Sequence, residues 1–225
     1  YGGLPALRKM PTAEQKTTYL QKLWKKTYLD DVVERHNVEN REALEAIADA
    51  LCSSIGSLTN TTRITNTLGS VRKIKITDDT VAKYIGYLEE AFLFNEARRY
   101  NIKGNRYYEN IKKYYSIDVG LRNARLNYRQ LEQTHLMENI IFNELLYRGY
   151  VVDVGVVEHR KMVDGKSEYK QYEVDFIATD GHEKYYIQSA YEIETEEKRE
   201  QELNSLKRID DSFRKIVIVK DDIMT

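Results

Sequence analysis

Glu173-Val174-Asp175-Phe176-Ile177-Ala178, closed by Asp180-Gly181 and followed by Ile187-Gln188-Ser189-Ala190, is the stretch on which the fold turns. Glu168 to Ala178 alternates as a strand, Asp180-Gly181 has the chemistry of a turn, and Lys184 to Tyr191 reads as a further strand. Working outward, Leu136, Ile140, Ile141, Glu144 and Leu145 mark a helix ending at Arg148-Gly149. Tyr150 to Val157 is strand-like and Val163 to Lys166 is a turn. Glu194 to Asp210 is a polar helix with Leu203 and Leu206 inward, and Lys215 to Val219 is a buried strand. The order α-β-β-β-α-β predicts a mixed sheet flanked by helices over 131–225.

Upstream the pattern is helical. Leu20, Leu23, Trp24, Tyr28 and Val32 recur at helical spacing from Glu14 to Arg35, and Leu44, Ile47, Ala48, Leu51, Cys52 and Ile55 form a second stripe capped at Gly56. A short helix from Thr61 to Leu68 ends at Gly69. Thr77 then caps a third long helix carrying Val81, Tyr84, Ile85, Leu88, Ala91 and Phe92, with Asp78 and Asp79 in its first turn. Phe94–Tyr100, Arg106–Ile111 and Lys113–Ile117 read as short strands around a turn at Lys103-Gly104-Asn105, and 118–127 as a closing helix. Helices followed by a basic hairpin predict a winged helix-turn-helix domain over 38–130, with 1–37 as a lead-in and linker helix. The class expected is therefore mixed, α+β or α/β.

Composition narrows the setting. The 225 residues are 41% hydrophobic and 32% charged, and 35 Lys+Arg against 36 Asp+Glu leave a net charge of -1. No run of about 18 uncharged apolar residues occurs and the chain opens Tyr1-Gly2-Gly3, which speaks against a membrane span and a secretory signal. One cysteine, Cys52, forms neither an intramolecular disulfide nor a thiolate cluster, so a reducing cytoplasm is expected. His36, His135, His159 and His182 lack ligand spacing.

The near-neutral total conceals an asymmetry: 1–130 hold 22 basic and 15 acidic residues, a net of +7, and 131–225 hold 13 and 21, a net of -8. Nine basic residues fall between Arg98 and Arg129 against Glu109 and Asp118. Such a stripe attracts phosphate polyanions, so double-stranded DNA is an expected partner. Thr80, Lys83, Tyr84 and Tyr87 would face a major groove, and Lys103, Arg106, Lys112 and Lys113 would make wing and backbone contacts. Asp78 and Asp79 oppose that docking, and so does the acidic run Glu192, Glu194, Glu196, Glu197, Glu200, Glu202 beside the later strands. The 18 tyrosines suit half-buried sheet positions better than stacking platforms.

Gly2-Gly3-Leu4-Pro5, Ser53-Ser54-Ile55-Gly56-Ser57 through Ile64-Thr65-Asn66-Thr67-Leu68-Gly69, Tyr84-Ile85-Gly86-Tyr87-Leu88-Glu89-Glu90-Ala91-Phe92 and Lys113-Tyr114-Tyr115-Ser116-Ile117-Asp118-Val119-Gly120-Leu121-Arg122 together resemble a prokaryotic family of AAA+-type ATPases with an uncharacterised C-terminal domain. The resemblance implies a P-loop core preceding the Gly-Gly segment, with ATP and Mg²⁺ bound there, the ATPase domain as partner, and oligomerisation through it. No Gly-x-x-x-x-Gly-Lys-Ser/Thr occurs in this chain. The last region is similar to the PD-(D/E)XK, restriction-endonuclease-like fold. That likeness assigns Asp175 as the metal-binding aspartate for Mg²⁺ and Glu138 as the helix acid, with Glu144 as a second candidate. Where Glu-x-Lys belongs, the chain has Gln188-Ser189-Ala190. Gln188 can offer an amide oxygen, but Ala190 cannot orient water or neutralise charge, and losing one such group costs about 100-fold or more in rate. Lys198, on the following helix, could reach back as a migrated lysine, and Lys184 lies at the far end of the strand. The expected function is a non-catalytic DNA-binding or regulatory module with a vestigial nuclease-like site. A metal-dependent nuclease and a protein-docking module are the alternatives.

Overall fold

A computed structural model describes residues 1–163, 166–193 and 195–220. It divides into two compact units, one of 1–96 with 113–132 and one of 97–112 with the chain from 133 onward. Asp164 and Gly165, the middle of the turn expected over Val163 to Lys166, and Glu194 of the acidic run lie outside the described residues. No helix among the described residues is long and apolar enough to cross a membrane.

The first unit is helical. Helix α1 (Ala13–Lys22) starts at a reciprocal cap between Thr12 and Gln15. It passes through a π-helical stretch, Leu23–Leu29, into α2 (Asp30–Arg35). Leu20, Trp24, Leu29 and Val32 are all buried along it. Helix α3 (Arg41–Ser53) is capped by Asn40 and buries Leu44, Ile47, Ala48, Leu51 and Cys52, each large aliphatic contributing about 2 kcal/mol on burial. Gly56 has φ +68°, in the left-handed region where glycine carries no Cβ penalty. Helix α4 (Thr61–Thr67) does not stop at Gly69: π turns carry it to Arg72, and Lys73 ends it at φ +60°. Burial of Leu68 and Ile74, joined by Ile74 N–H to Leu68 C=O, holds this wider turn closed. Helix α5 (Asp78–Glu90) ends in paired backbone bonds, Phe92 N–H to Glu89 C=O and Leu93 N–H to Leu88 C=O, with Phe92 left-handed at φ +55°.

Two distant motifs meet at the start of α6 (Val119–Arg125). Asp118 caps α6 by accepting the Leu121 N–H on Oδ1 at 2.8 Å, while its Oδ2 accepts the Gly3 N–H at 2.8 Å. A Cβ on Gly120 would lie 1.9 Å from the Tyr1 carbonyl oxygen, so the Gly-Gly segment and the Asp118-Val119-Gly120 notch fit only without side chains.

The second unit is built on a six-stranded mixed sheet in the order β2-β1-β3-β4-β5-β6. Its strands are β1 (Phe94–Asn101), β2 (Arg106–Ser116), β3 (Val151–Val163), β4 (Lys166–Thr179), β5 (Lys184–Ala190) and β6 (Arg214–Val219), with helices α7 (Gln133–Tyr147) and α8 (Glu196–Lys207). The chain order α7-β3-β4-β5-α8-β6 agrees with the expected mixed sheet flanked by helices. Two expectations change. Arg106–Ile111 and Lys113–Ile117 are one continuous strand, β2. The hairpin expected as a wing extends the sheet, because β1 pairs parallel with β3 through Arg99↔Val154 and Asn101↔Val156. Its turn is made by Asn105 at φ +49°, with Asn101 Oδ1 accepting the Gly104 N–H at 2.8 Å.

Between Asp153↔Ile177 and Gly155↔Val174, β3 advances two residues and β4 three, so one extra residue of β4 is accommodated at Asp175-Phe176. Bulges of this kind bend a strand and re-aim a side chain. Gly155 lies opposite, where a Cβ would be 2.9 Å from that of Val174. The bulge also lets Val174 and Ile177, three residues apart, share one face with Tyr186, Leu206 and Ile209, whereas Phe176 meets Phe142 of α7 at 6.1 Å between rings. Helices α7 and α8 thus cover opposite faces of β4.

Candidate functional site

Asp175 is 8% exposed at the bulge. Its Oδ2 accepts the Ser189 N–H at 2.8 Å and its own N–H donates to Gln188 Oε1 at 3.4 Å, so these two expected site residues are brought together. Gln188 serves the strand–helix seam. Its Oε1 also accepts from Ser205 Oγ, and its Nε2 donates to Glu202, both at 3.4 Å. Ser205 and Glu202 belong to α8, so Gln188 faces that helix.

Glu138 is half-buried on α7, one turn before Phe142 and on the stripe that meets the sheet. Its helix packs on the sheet through Phe142, which meets Phe176. Ala190 is 3% exposed, in parallel register with Val219, and has no polar atom to offer. Of the stand-in lysines, Lys184 sits at the far end of β5 with Nζ over the Phe213 ring at 4.9 Å. Lys198 is exposed one turn before Glu202, and Glu144 is bonded to Arg148 at 2.7 Å.

A hard divalent cation needs several converging oxygens. Here one oxygen of Asp175 is occupied by a backbone N–H, and Gln188 is turned to α8. Among the described residues no group of three or more His, Cys, Asp and Glu side chains is placed to hold a metal. This donor set does not fit the nuclease metal.

The residues expected at DNA have other partners. Tyr84 is buried and its hydroxyl accepts the Asn40 N–H at 3.3 Å, which makes it a core residue rather than a groove reader. Tyr87 is half-buried and stacked on His36 at 3.7 Å, with exposed Lys83 over its ring at 5.8 Å. Thr80 is bonded to its cap, Thr77. Hydroxyls of Thr62 and Thr65 hold the Asp78 carboxyl below its usual pKa, which keeps an anion at the start of α5. Lys103 is 3.6 Å from Asp210, Arg106 is exposed, Lys112 is half-buried, and Lys113 is only 3% exposed, unavailable to a phosphate backbone.

Most of the basic stripe is wired internally. Arg122, 1% exposed, donates to Cys52 C=O at 2.8 Å, to Asn123 Oδ1 and to Gln130 C=O. Burial lowers its pKa and raises that of the Cys52 thiol to about 12. Arg125 binds Asp49 at 2.6 Å and reaches Glu45 at 3.5 Å. Arg98 lies over Tyr107 at 4.0 Å, and Tyr107 donates to Asp153 at 2.8 Å. Burial raises the Asp153 pKa despite that bond.

A cluster that sequence reasoning missed occupies β2, β1, β3 and β4. Glu158 accepts from Tyr108 and Tyr169 hydroxyls, each at 2.6 Å, and these bonds bring its pKa down to about 2. Gln171, paired with Glu158 across β3 and β4, donates to both phenols, and buried Arg99 stacks over Tyr108 at 5.0 Å. The only signal was a run of long polar residues at strand spacing.

Comparison with known proteins gives a family and uncharacterised relatives. The model described as a domain of unknown function (DUF8612) matches residues 1–132. An uncharacterized protein of Haemophilus influenzae is 34% identical over 218 residues, covering 97% of this chain and 50% of that protein. Uncharacterized protein MJ1544 of Methanocaldococcus jannaschii is 27% identical over 201 residues, covering 89% and 42%. The chain thus spans about half the length of the curated relatives it matches. No solved structure matches.

Proposed function

We propose that this chain, which belongs to the DUF8612 family of unknown function, is a non-catalytic regulatory module that docks on the ATPase region of a longer AAA+-type protein. In this reading α3, α4 and α5 with the β1–β2 hairpin derive from a winged helix, and the sheet of the second unit derives from a PD-(D/E)XK nuclease that has lost its chemistry. The motifs quoted above support the ATPase parent. One observation carries the loss of chemistry: Asp175 and Gln188 are bonded into the β4–β5–α8 seam, with Gln188 turned to Glu202 and Ser205 of α8. A carboxylate with one oxygen on a backbone N–H and an amide turned to a helix offer few converging oxygens to a cation.

The internal pairing of Arg98, Lys103, Arg122 and Arg125 supports protein docking over duplex DNA, since cations already neutralised release few counterions from a phosphate backbone. The test is a Mg²⁺ and Mn²⁺ titration of the purified chain with duplex and single-stranded DNA, run beside Asp175→Ala, together with a mobility shift at about 50 mM salt. The expected results are no Asp175-dependent cleavage and no salt-sensitive shift. Cleavage abolished by Asp175→Ala overturns the non-catalytic reading, and a strong shift restores DNA as the partner.

A further inference from the structure

Helices α3 and α4, with the π turns Leu68–Arg72, enclose a cleft of about 310 Å³ in the first unit, used neither by the Asp175 site nor by the charge network of Arg122. Ala46, Ala50, Leu58, Ile64, Leu68 and Val71 give it an apolar lining. Val71 is 70% exposed at its lip, an uncommon place for a large aliphatic residue unless something covers it.

Two hydroxyls of the lining are satisfied from within. Thr67 Oγ1 donates to Arg63 C=O at 2.9 Å and Ser54 Oγ to Ala50 C=O at 2.8 Å, so the hydroxyls are tied to their own helices and ask nothing of a ligand. The small residues Ala46, Ala50 and Ser53 recur one turn apart on α3, which lets another backbone approach closely. A trough with an apolar floor between two helices suits the apolar stripe of a third helix.

Charge at the rim selects which helix. Arg63 and Arg72 line the cleft against Asp49, the one carboxylate of the lining. Arg63 is anchored by one bond to Leu58 C=O and Arg72 by one to Asp49. Each guanidinium keeps further N–H donors for a carboxylate. We propose that this cleft is the docking groove for an acidic amphipathic helix, apolar at i, i+3/i+4 and i+7 and flanked by Glu or Asp that meet Arg63 and Arg72. The proposal rests on the docking reading above and assigns that helix to the ATPase region.

The test uses two synthetic helical peptides with the same leucine stripe, one flanked by glutamate and one by lysine, titrated into the purified chain by fluorescence anisotropy at low and at raised salt. The acidic peptide is expected to bind, weakening as salt screens the rim, and the basic twin not to. Val71→Asp and Arg63→Glu are each expected to weaken binding about tenfold or more; circular dichroism checks that each variant is folded, as the exposure of both positions predicts. The groove is overturned if the acidic peptide fails to bind, if the lysine twin binds equally, or if Val71→Asp binds as the parent does. Self-association abolished by Val71→Asp would give the groove to a second copy and overturn the acidic partner. Asp175-dependent cleavage would sink the proposed function without moving these titrations, so the two failures are separable.

Discussion

In the helical unit Asp118 divides its two oxygens between the Leu121 N–H, which starts α6, and the Gly3 N–H, which fastens the lead-in segment; in the sheet unit Asp175 gives an oxygen to the Ser189 N–H across β4 and β5. Each aspartate has a crowded glycine nearby, Gly120 beside the Tyr1 carbonyl and Gly155 opposite the bulge. The first aspartate lies in the stretch Lys113 to Arg122 and the second in Glu173 to Ala178. Both are tied to backbone amides, and among the described residues no group of three or more His, Cys, Asp and Glu side chains is placed to hold a metal at either. An aspartate within a familiar motif therefore gains a chemical role only through what converges on it.

The comparison breaks most readily at the glycines. Gly120→Ala puts a methyl 1.9 Å from a backbone carbonyl oxygen, whereas Gly155→Ala puts one 2.9 Å from the Val174 Cβ, which moves only with the β4 backbone, and 3.1 Å from the Ile102 Cδ1, which can turn aside. The expected costs are about 3 kcal/mol for Gly120→Ala and about 1–2 kcal/mol for Gly155→Ala. Hydrogen exchange should report Gly3 exposed in the first variant and the β3–β4 ladder in the second. Equal losses at the two sites would mean that the lead-in segment is not held by the notch.

The aspartates come next. Asp118→Ala removes a helix cap and a second hydrogen bond, about 2 kcal/mol together. Asp175→Ala leaves the Ser189 N–H unpaired, at about 1–2 kcal/mol. Thermal unfolding of the two variants measures the order, and a stabilised Asp175→Ala would point instead to a carboxylate kept for chemistry.

How much of this was legible follows from the range of each interaction. The alternation of 173–178 and 184–190 gave β4 and β5, since strand periodicity is local. Parallel pairing of β1 with β3 joins Arg99 to Val154, and nothing in either segment encodes the other, so from sequence the hairpin reads as a wing. The bulge at Asp175-Phe176 leaves no mark in composition, yet it sets the faces of β4. The charge stripe misled for a related reason: sequence counts Arg122 and Arg125 as positive without showing the Cys52 carbonyl or the Asp49 carboxylate beneath them.

Glu158 sharpens the contrast through pH. Its carboxyl is held down to about 2 by the phenols of Tyr108 and Tyr169. A depressed folded-state pKa contributes stability that is present above the ordinary glutamate range, near 4.3, and is lost as pH falls toward 2. Glu158→Gln should therefore melt below the parent at neutral pH and converge with it near pH 2, as thermal melts across that range would record. Asp153, whose pKa burial raises, should act in the opposite sense. A group with a raised acid pKa costs stability once ionised, so Asp153→Asn should be tolerated better at neutral pH than in acid.

The smallest effect belongs to Phe92, 74% exposed and left-handed at the end of α5, where the bond from Leu93 N–H to Leu88 C=O favours glycine. A non-glycine residue there costs about 1 kcal/mol, and so exposed a ring recovers little of it by burial. Phe92→Gly should raise stability by about 0.5 kcal/mol, after the entropy that glycine loses on folding is set against the strain relieved. At Gly56, which is also left-handed but already glycine, Gly56→Phe should cost stability. Melting temperatures moving in opposite directions would establish backbone strain as the cause, whereas a loss at both positions would mean that the Phe92 ring stabilises the turn through contacts of its own.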